Sequence, residues 1–408
     1  MSVLDCKMYN MDEKILLLDI GKQIVSELQL KPSLTCGLMG GDFGKIMYLY
    51  ECSRIEKDME READMMLDKL FGTYRIRPYL TTYCNGLSGF GIGLQLLEKG
   101  GYIQGASCQM SEFDSRLHYA LRYYLVEGNI DFLHGATGLG FYFIDRIGYS
   151  EEIAEESLRL YIDRLFETAL EENSDDGPHT IKWIFDRHTA IKRYNMSLSH
   201  GISSIAILLS KIVKSKCDSE LIEKCRYLLK GIKSYLMSQT IDFDRYGSFF
   251  PSFPKDCMDE IRKSRLAWCY GDLGVIFALI NIGEALQDVD TTDSALKMAV
   301  VCADKRRGVP DNMVYDACIC HGASGVAQAF SALYRKTGYD KFADAYSYWR
   351  TQSLKMGVYE NGHIDFRNYD VTNRNWRKTN SFLEGNAGVG LMLLNSDYIL
   401  DHILLYGI

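Results

Sequence analysis

Seven apolar runs in this chain each begin at a glycine, and six of the seven carry it as Gly-x-x-Gly. They open at Gly41 (GDFGKIMYL), Gly86 (GLSGFGIGL), Gly135 (GATGLGFYF), Gly201 (GISSIAILL), Gly271 (GDLGVIFAL), Gly322 (GASGVAQAF) and Gly385 (GNAGVGLML), roughly 45 to 70 residues apart. Periods of this length suit one helical hairpin per repeat. After each glycine pair the residues are apolar nearly all round, as in Val275-Ile276-Phe277-Ala278-Leu279-Ile280. A helix of that kind belongs in an interior. Between the runs the pattern is one-faced: Leu158, Tyr161, Ile162, Leu165, Phe166 and Leu170 recur at spacings of three and four among charged residues. That predicts outer helices covering the inner ones. Only six prolines occur in 408 residues, as expected where an internal proline would break a helix.

Inner helices wrapped by outer ones form an open superhelix or a closed ring. The last run (GVGLMLLNSDYILDHILLYGI) stops soon after its apolar stretch, so the expected fold is all-α, a closed α/α toroid of about seven hairpins. The glycines suit close approach and tight turns; Ser204 stands where one repeat lacks its second glycine. No Pro/Ser/Gly linker interrupts the chain, which reads as a single domain over 1–408. The two longest periods leave excess residues near 172–196 and 240–264, expected as surface loops or short strands.

Net charge is −8 and no basic run occurs, against a nucleic-acid groove. The opening MSVLDCKMYNMDEK carries acids where a signal peptide has its apolar core. No run approaches the ~18 apolar residues of a membrane span. Twelve cysteines without a secretory signal point to a reducing compartment, where thiols bind metals or lie buried. A cytoplasmic location is expected.

The two positions before the first glycine hold Cys84-Asn85, Leu133-His134, Ser199-His200, Cys269-Tyr270, Cys320-His321 and Leu383-Glu384. Repeats put equivalent residues at equivalent places, so this register predicts one convergent site. From mid-helix, neighbours diverge by roughly 100°, but from a turn Cys320 and His321 can face one metal. With Cys269 they make two thiolates and an imidazole, a set typical of zinc, with the fourth tetrahedral position open. The alternative is ordinary buried thiols. Cys84 fills the same slot in another repeat and Cys318 lies two residues off it; both are expected not to be ligands. The histidines at 118, 179, 188, 363 and 402 fall outside the register and read as structural or surface.

These residues resemble the lanthionine synthetase C-like proteins, the lanthionine cyclase family, over nearly the whole chain. Trp-Cys-Tyr-Gly at 268–271, Cys-His-Gly at 320–322 and Ser-His-Gly at 199–201 carry the resemblance. It implies an α/α toroid with one zinc per chain held by Cys269, Cys320 and His321. It also implies catalytic roles for His200, Asp131, Arg265 and Tyr270. Asp131 and Arg265 each stand four residues before their Gly135 and Cys269, as the family pattern asks. His134 occupies a position where the family often has an acid.

Family members add a cysteine thiol to dehydroalanine or dehydrobutyrine, closing a thioether ring. A thiol is only a few per cent thiolate at pH 7. Metal binding deprotonates it outright, roughly thirtyfold or about 2 kcal/mol in thiolate population, less what lower basicity returns. Attack leaves an enolate needing charge stabilisation and a proton, for which imidazole is suited. Asp131 would tune His200, Arg265 brace the site or stabilise the enolate oxygen, and Tyr270 donate a hydrogen bond. The expected substrate is a dehydrated precursor peptide, with a separate dehydratase and an export transporter as partners in a complex that could be membrane-associated. Two other readings stay open: zinc-dependent addition of glutathione to dehydroamino acids, and a helical scaffold with structural zinc.

Overall fold

The computed structural model describes residues 12–30, 35–74, 80–172, 179–185, 193–370 and 373–407. Parts of the expected insertion at 172–196 lie outside the described residues.

Every glycine-led run begins a helix at the residue after its first glycine. These inner helices are α2 (Asp42–Cys52), α4 (Leu87–Lys99), α6 (Ala136–Arg146), α8 (Ile202–Val213), α10 (Asp272–Leu286), α12 (Ala323–Thr337) and α14 (Asn386–Leu393). All residues of α2 and α14 are buried, as all-round apolarity requires. Between them run α1 (Glu13–Leu30), α3 (Asp58–Tyr74), α5 (Ser111–Glu127), α7 (Glu151–Thr168), α9 (Ser219–Ser238), α11 (Val289–Lys305), α13 (Asp340–Lys355) and the short α15 (Asp397–Ile403). These outer helices bury one face; α7 covers Ala154, Leu158, Tyr161, Ile162 and Leu165. The expected stripe on α7 ends there, since Phe166 is exposed and Leu170 begins a strand.

The chain contains two compact units. In the first, 1–106 with 314–403, the inner helices pack in the series α12, α14, α2, α4, so the last repeat lies against the first. In the second, 107–313 with 404–408, the series is α6, α8, α10, each covered by its own outer helix.

The glycines solve a packing problem at the helix starts. A Cβ on Gly325 would lie 1.9 Å from the carbonyl oxygen of Ile319, six residues back. Gly271 has φ +113° and would strike the Arg265 oxygen at 2.0 Å, a conformation and a space that only glycine fits. Where Ser204 replaces the second glycine, its hydroxyl donates to the Gly201 carbonyl at 2.8 Å.

Six of the seven turns before these helices are linked edge to edge, chiefly at the residue two before the glycine. In the first unit Cys320 N–H donates to Leu383 C=O, Leu383 N–H to Met39 C=O and Met39 N–H to Cys84 C=O, each at 3.0 Å. In the second unit Leu198 and Ser199 N–H both donate to Cys269 C=O. The sequence register is therefore a row of backbone hydrogen bonds.

Among the described residues, three pairs of short antiparallel strands decorate the helices. Strands β1 (Leu170–Glu172) and β2 (Thr180–Lys182) pair in the second unit, and β2 packs on α9 through buried Ile181. Just beyond β2, the Trp183 indole donates to Leu165 C=O at 3.0 Å. In the first unit β3 (Val358–Glu360) pairs with β4 (His363–Asp365), and β5 (Asn368–Asp370) with β6 (Asn375–Arg377). The segment 240–264 forms a helical turn at Phe243–Tyr246 and a bridge between Pro251 and Lys263.

Candidate active site

Five of the seven inner helices are entered by a turn built from side chains, and Asp131, His200, Cys320 and His321 sit within such turns. Six residues before the glycine, a polar side chain accepts the N–H two residues on. Asn129 does this for Asp131, Asn195 for Ser197, Asp316 for Cys318 and Thr379 for Ser381, at 2.9 to 3.1 Å. Four residues before the glycine, a second side chain accepts the N–H three residues on. Asp131 does this for His134, Ser197 for His200, Ser381 for Glu384 and Thr82 for Asn85. Local hydrogen bonds of this kind are what Asn, Asp, Ser and Thr offer a turn.

Asp131 uses only one oxygen for that turn. Its other oxygen, Oδ2, lies 2.7 Å from His200 Nδ1, a charge-assisted pair. Burial pulls the His200 imidazole down, but the Asp131 carboxylate outweighs it, with Cys269 adding, so His200 lies above its ordinary value. His134 stacks on His200 with ring centroids 5.8 Å apart, and Tyr270 approaches from another side at 6.1 Å. Asn195 Nδ2 donates to the Tyr270 hydroxyl at 3.4 Å, and burial raises the Tyr270 phenol. A small depression borders Tyr270 and is lined by Asn195, Met196, Phe250 and Phe253 among others. Asp131, His200, Tyr270 and Cys269 thus share the second unit. Cys269 is 5 % exposed, and its carbonyl is the one that holds Leu198 and Ser199. Arg265 is half-buried in the same unit; among the described residues its guanidinium makes no hydrogen bond or ion pair.

Cys320 and His321 belong to the first unit. His321 Nε2 lies 3.3 Å from Asp316 Oδ2, whose side chain is wholly buried. The ligand atoms of Asp316, Cys318 and His321 lie within 4.8 Å of one another. Cys318 occupies the turn slot that Asp131, Ser197 and Ser381 fill elsewhere, which accounts for its offset of two residues from the register. Burial pushes its thiol up to about 11. Cys84 also lies in the first unit, buried, and joins no such cluster among the described residues. By donor chemistry the set Cys269, Cys320 and His321 fits zinc, which takes thiolate and imidazole together.

A model of the lanthionine synthetase C-like proteins matches residues 32–399.

The chain belongs to the lanthionine synthetase C-like family.

Among curated relatives, this lanthionine synthetase C-like protein is 23 % identical over 215 residues to nisin biosynthesis protein NisC of Lactococcus lactis subsp. lactis. That match covers 51 % of this chain and 46 % of the relative, about half the relative's length. Among solved structures it is similar to nisin cyclase, with a TM-score of 0.69 at 17 % identity over 96 % of both chains. At that identity the likeness carries the fold, and it bears out the expected all-α toroid class. No described helix is long and apolar enough to cross a membrane.

The turn residues Asn129, Asn195, Asp316 and Thr379 were not singled out by the sequence reading. Their signal was present: a polar acceptor six residues before the glycine in five of seven repeats, Thr35 being the fifth.

Proposed function

We propose that this protein is a lanthionine cyclase, adding peptide cysteine thiols to dehydroalanine or dehydrobutyrine to form thioether rings in a ribosomally made precursor. The observation that carries the reading is the Asp131–His200 pair beside Cys269 and Tyr270, within a chain of this family. In the addition the S–Cβ bond forms, the Cα=Cβ π bond breaks and the thiol proton ends on Cα; nothing is oxidised or reduced.

Asp131 accepts from His200 Nδ1, which fixes the tautomer and leaves Nε2 as the exchangeable site. An imidazole held so can take the thiol proton and return one to the enolate carbon, worth typically 10²–10⁴-fold. Tyr270 offers a hydroxyl beside His200 for the developing oxyanion, and Arg265, with no ion-pair partner among the described residues, is assigned the substrate's charge. Zinc bound by Cys269, Cys320 and His321 would supply a deprotonated substrate thiol. The cyclase reading brings a dehydrated precursor peptide as substrate, a separate dehydratase and exporter as partners, and a cytoplasmic site of action.

The test is incubation of the purified protein with a dehydrated peptide that carries cysteine. Loss of free thiol without change of mass, abolished in His200→Ala, is the expected result. Persistence of every thiol on a matched substrate would sink the proposal. A mass gain from glutathione on a cysteine-free peptide would replace it with intermolecular addition.

A further inference from the structure

We propose that Asp316 is a positioning residue for the metal centre: it holds the His321 ring through Nε2 and so commits Nδ1 to zinc. This rests on the zinc reading above. The slot six residues before the glycine needs one acceptor oxygen, and Asn129, Asn195 and Thr379 supply it without charge. Only the repeat that carries Cys-His puts a carboxylate at this hydrogen-bonding slot. Asp316 Oδ1 does the turn's work on Cys318 N–H at 3.0 Å. Its second oxygen is surplus to the turn and is the one at 3.3 Å from His321 Nε2.

That second oxygen is itself held. Tyr369 N–H, on β5, donates to Oδ2 at 2.9 Å, so the carboxylate is gripped from both ends and buried. A carboxylate fixed this way on one ring nitrogen sets the tautomer and orientation of a ligating histidine and raises its basicity. Burying a carboxylate beside an imidazole is expensive, and an amide would serve the turn equally. The second oxygen answers both the Tyr369 amide and the histidine.

The repeat also supplies a clean variant. Asp316→Asn places in this slot the residue that folds the same turn at positions 129 and 195. In competitive titration of the metal-free full chain with zinc against a chelator, we expect Asp316→Asn to weaken zinc by roughly 10–100-fold. Saturating zinc should still bind one per chain. Cys318→Ala should change the affinity by no more than about threefold, since the turn-slot thiol is not a ligand in this scheme. Asp316→Asn within about twofold of wild type overturns the inference. A Cys318→Ala loss as large as that of Cys320→Ala also overturns it, making Asp316 and Cys318 ligands themselves. Wild type that takes up no zinc sinks the underlying zinc reading instead, a distinguishable failure. A second measurement needs no change at Asp316: long-range ¹H–¹⁵N spectra of ¹⁵N-histidine-labelled, zinc-loaded protein, with His321 assigned by its loss in His321→Asn. Protonated Nε2 with metal-shifted Nδ1 is expected, and the reverse pattern refutes the proposal.

Discussion

Oδ2 of Asp131 lies 2.7 Å from Nδ1 of His200, while Oδ1 of the same carboxylate accepts the His134 backbone N–H, also at 2.7 Å. One side chain therefore builds the turn of its own repeat and raises the basicity of the histidine of the next. Asp131→Asn keeps an oxygen for the turn and removes the charge. The His200 midpoint, followed by NMR of the ring Cε1–H in zinc-free protein, is expected to fall, because burial then acts without the carboxylate. The sign for stability follows from a folded-state value raised above the unfolded one of about 6.5. The pair's stabilisation is fully present below the unfolded value and is lost as pH rises through the folded one. Wild type should exceed Asp131→Asn in denaturation midpoint by more at pH 5.5 than at pH 9. An equal gap at both would refute the coupling.

Zinc content is the second prediction. Wild type should carry about one zinc per chain, and Cys269→Ala and Cys320→Ala should each lose it while keeping their helical circular dichroism, because thiolates are the strong ligands of such a set. His200→Ala should keep the metal and lose cyclisation. Wild type that stays metal-free after anaerobic zinc incubation would return the chain to the scaffold reading.

The glycines at the two ends of α12 can be ranked. Gly325→Ala drives a methyl against the Ile319 carbonyl, backbone against backbone, and should cost about 2–3 kcal/mol. Gly338→Ala meets open space and has only its φ of +70° to overcome, about 1 kcal/mol. Urea midpoints at constant slope measure the difference. Equal costs would mean that the close approach is soft.

Acid sensitivity should be traceable to Asp288, which caps α11. Lys233 first, then Thr291 through side chain and backbone, hold its carboxyl down to about 2. Because the folded value lies below the unfolded one, its contribution is present above about pH 4 and fades as pH falls toward 2. Asp288→Ala should cost about 1–2 kcal/mol at pH 7, shrinking toward zero near pH 2. A constant cost across that range would show that the cap acts through packing.

Much of this was legible because glycine and all-round apolarity are strong local signals. The seven helix starts follow directly from Gly41, Gly86, Gly135, Gly201, Gly271, Gly322 and Gly385. The register slot of Cys269 and Cys320 turned out to be a backbone-linked position in six of the seven turns, with His321 the residue after it. What escaped the sequence was contact at a distance. Nothing local to Asp131 announces His200 in the next repeat, and nothing near Asp316 announces the amide of Tyr369. The hairpins of β3 to β6 were missed for a different reason: strands of three residues are too short to establish an alternating pattern. The α7 stripe overran at Phe166 and Leu170 because apolar spacing continues past the last residue that has anything to pack against.

The backbone links through Cys320, Leu383, Met39 and Cys84 have a consequence for motion. Three of the four turns in that row donate to the next, Cys84 only accepts, and the two middle ones do both, so none can open without freeing a partner's amide or carbonyl. Slow amide exchange at Met39, Cys320 and Leu383 would then report one shared opening free energy rather than three separate ones. A thiol and an imidazole displayed there inherit the stiffness of four repeats, not of one loop.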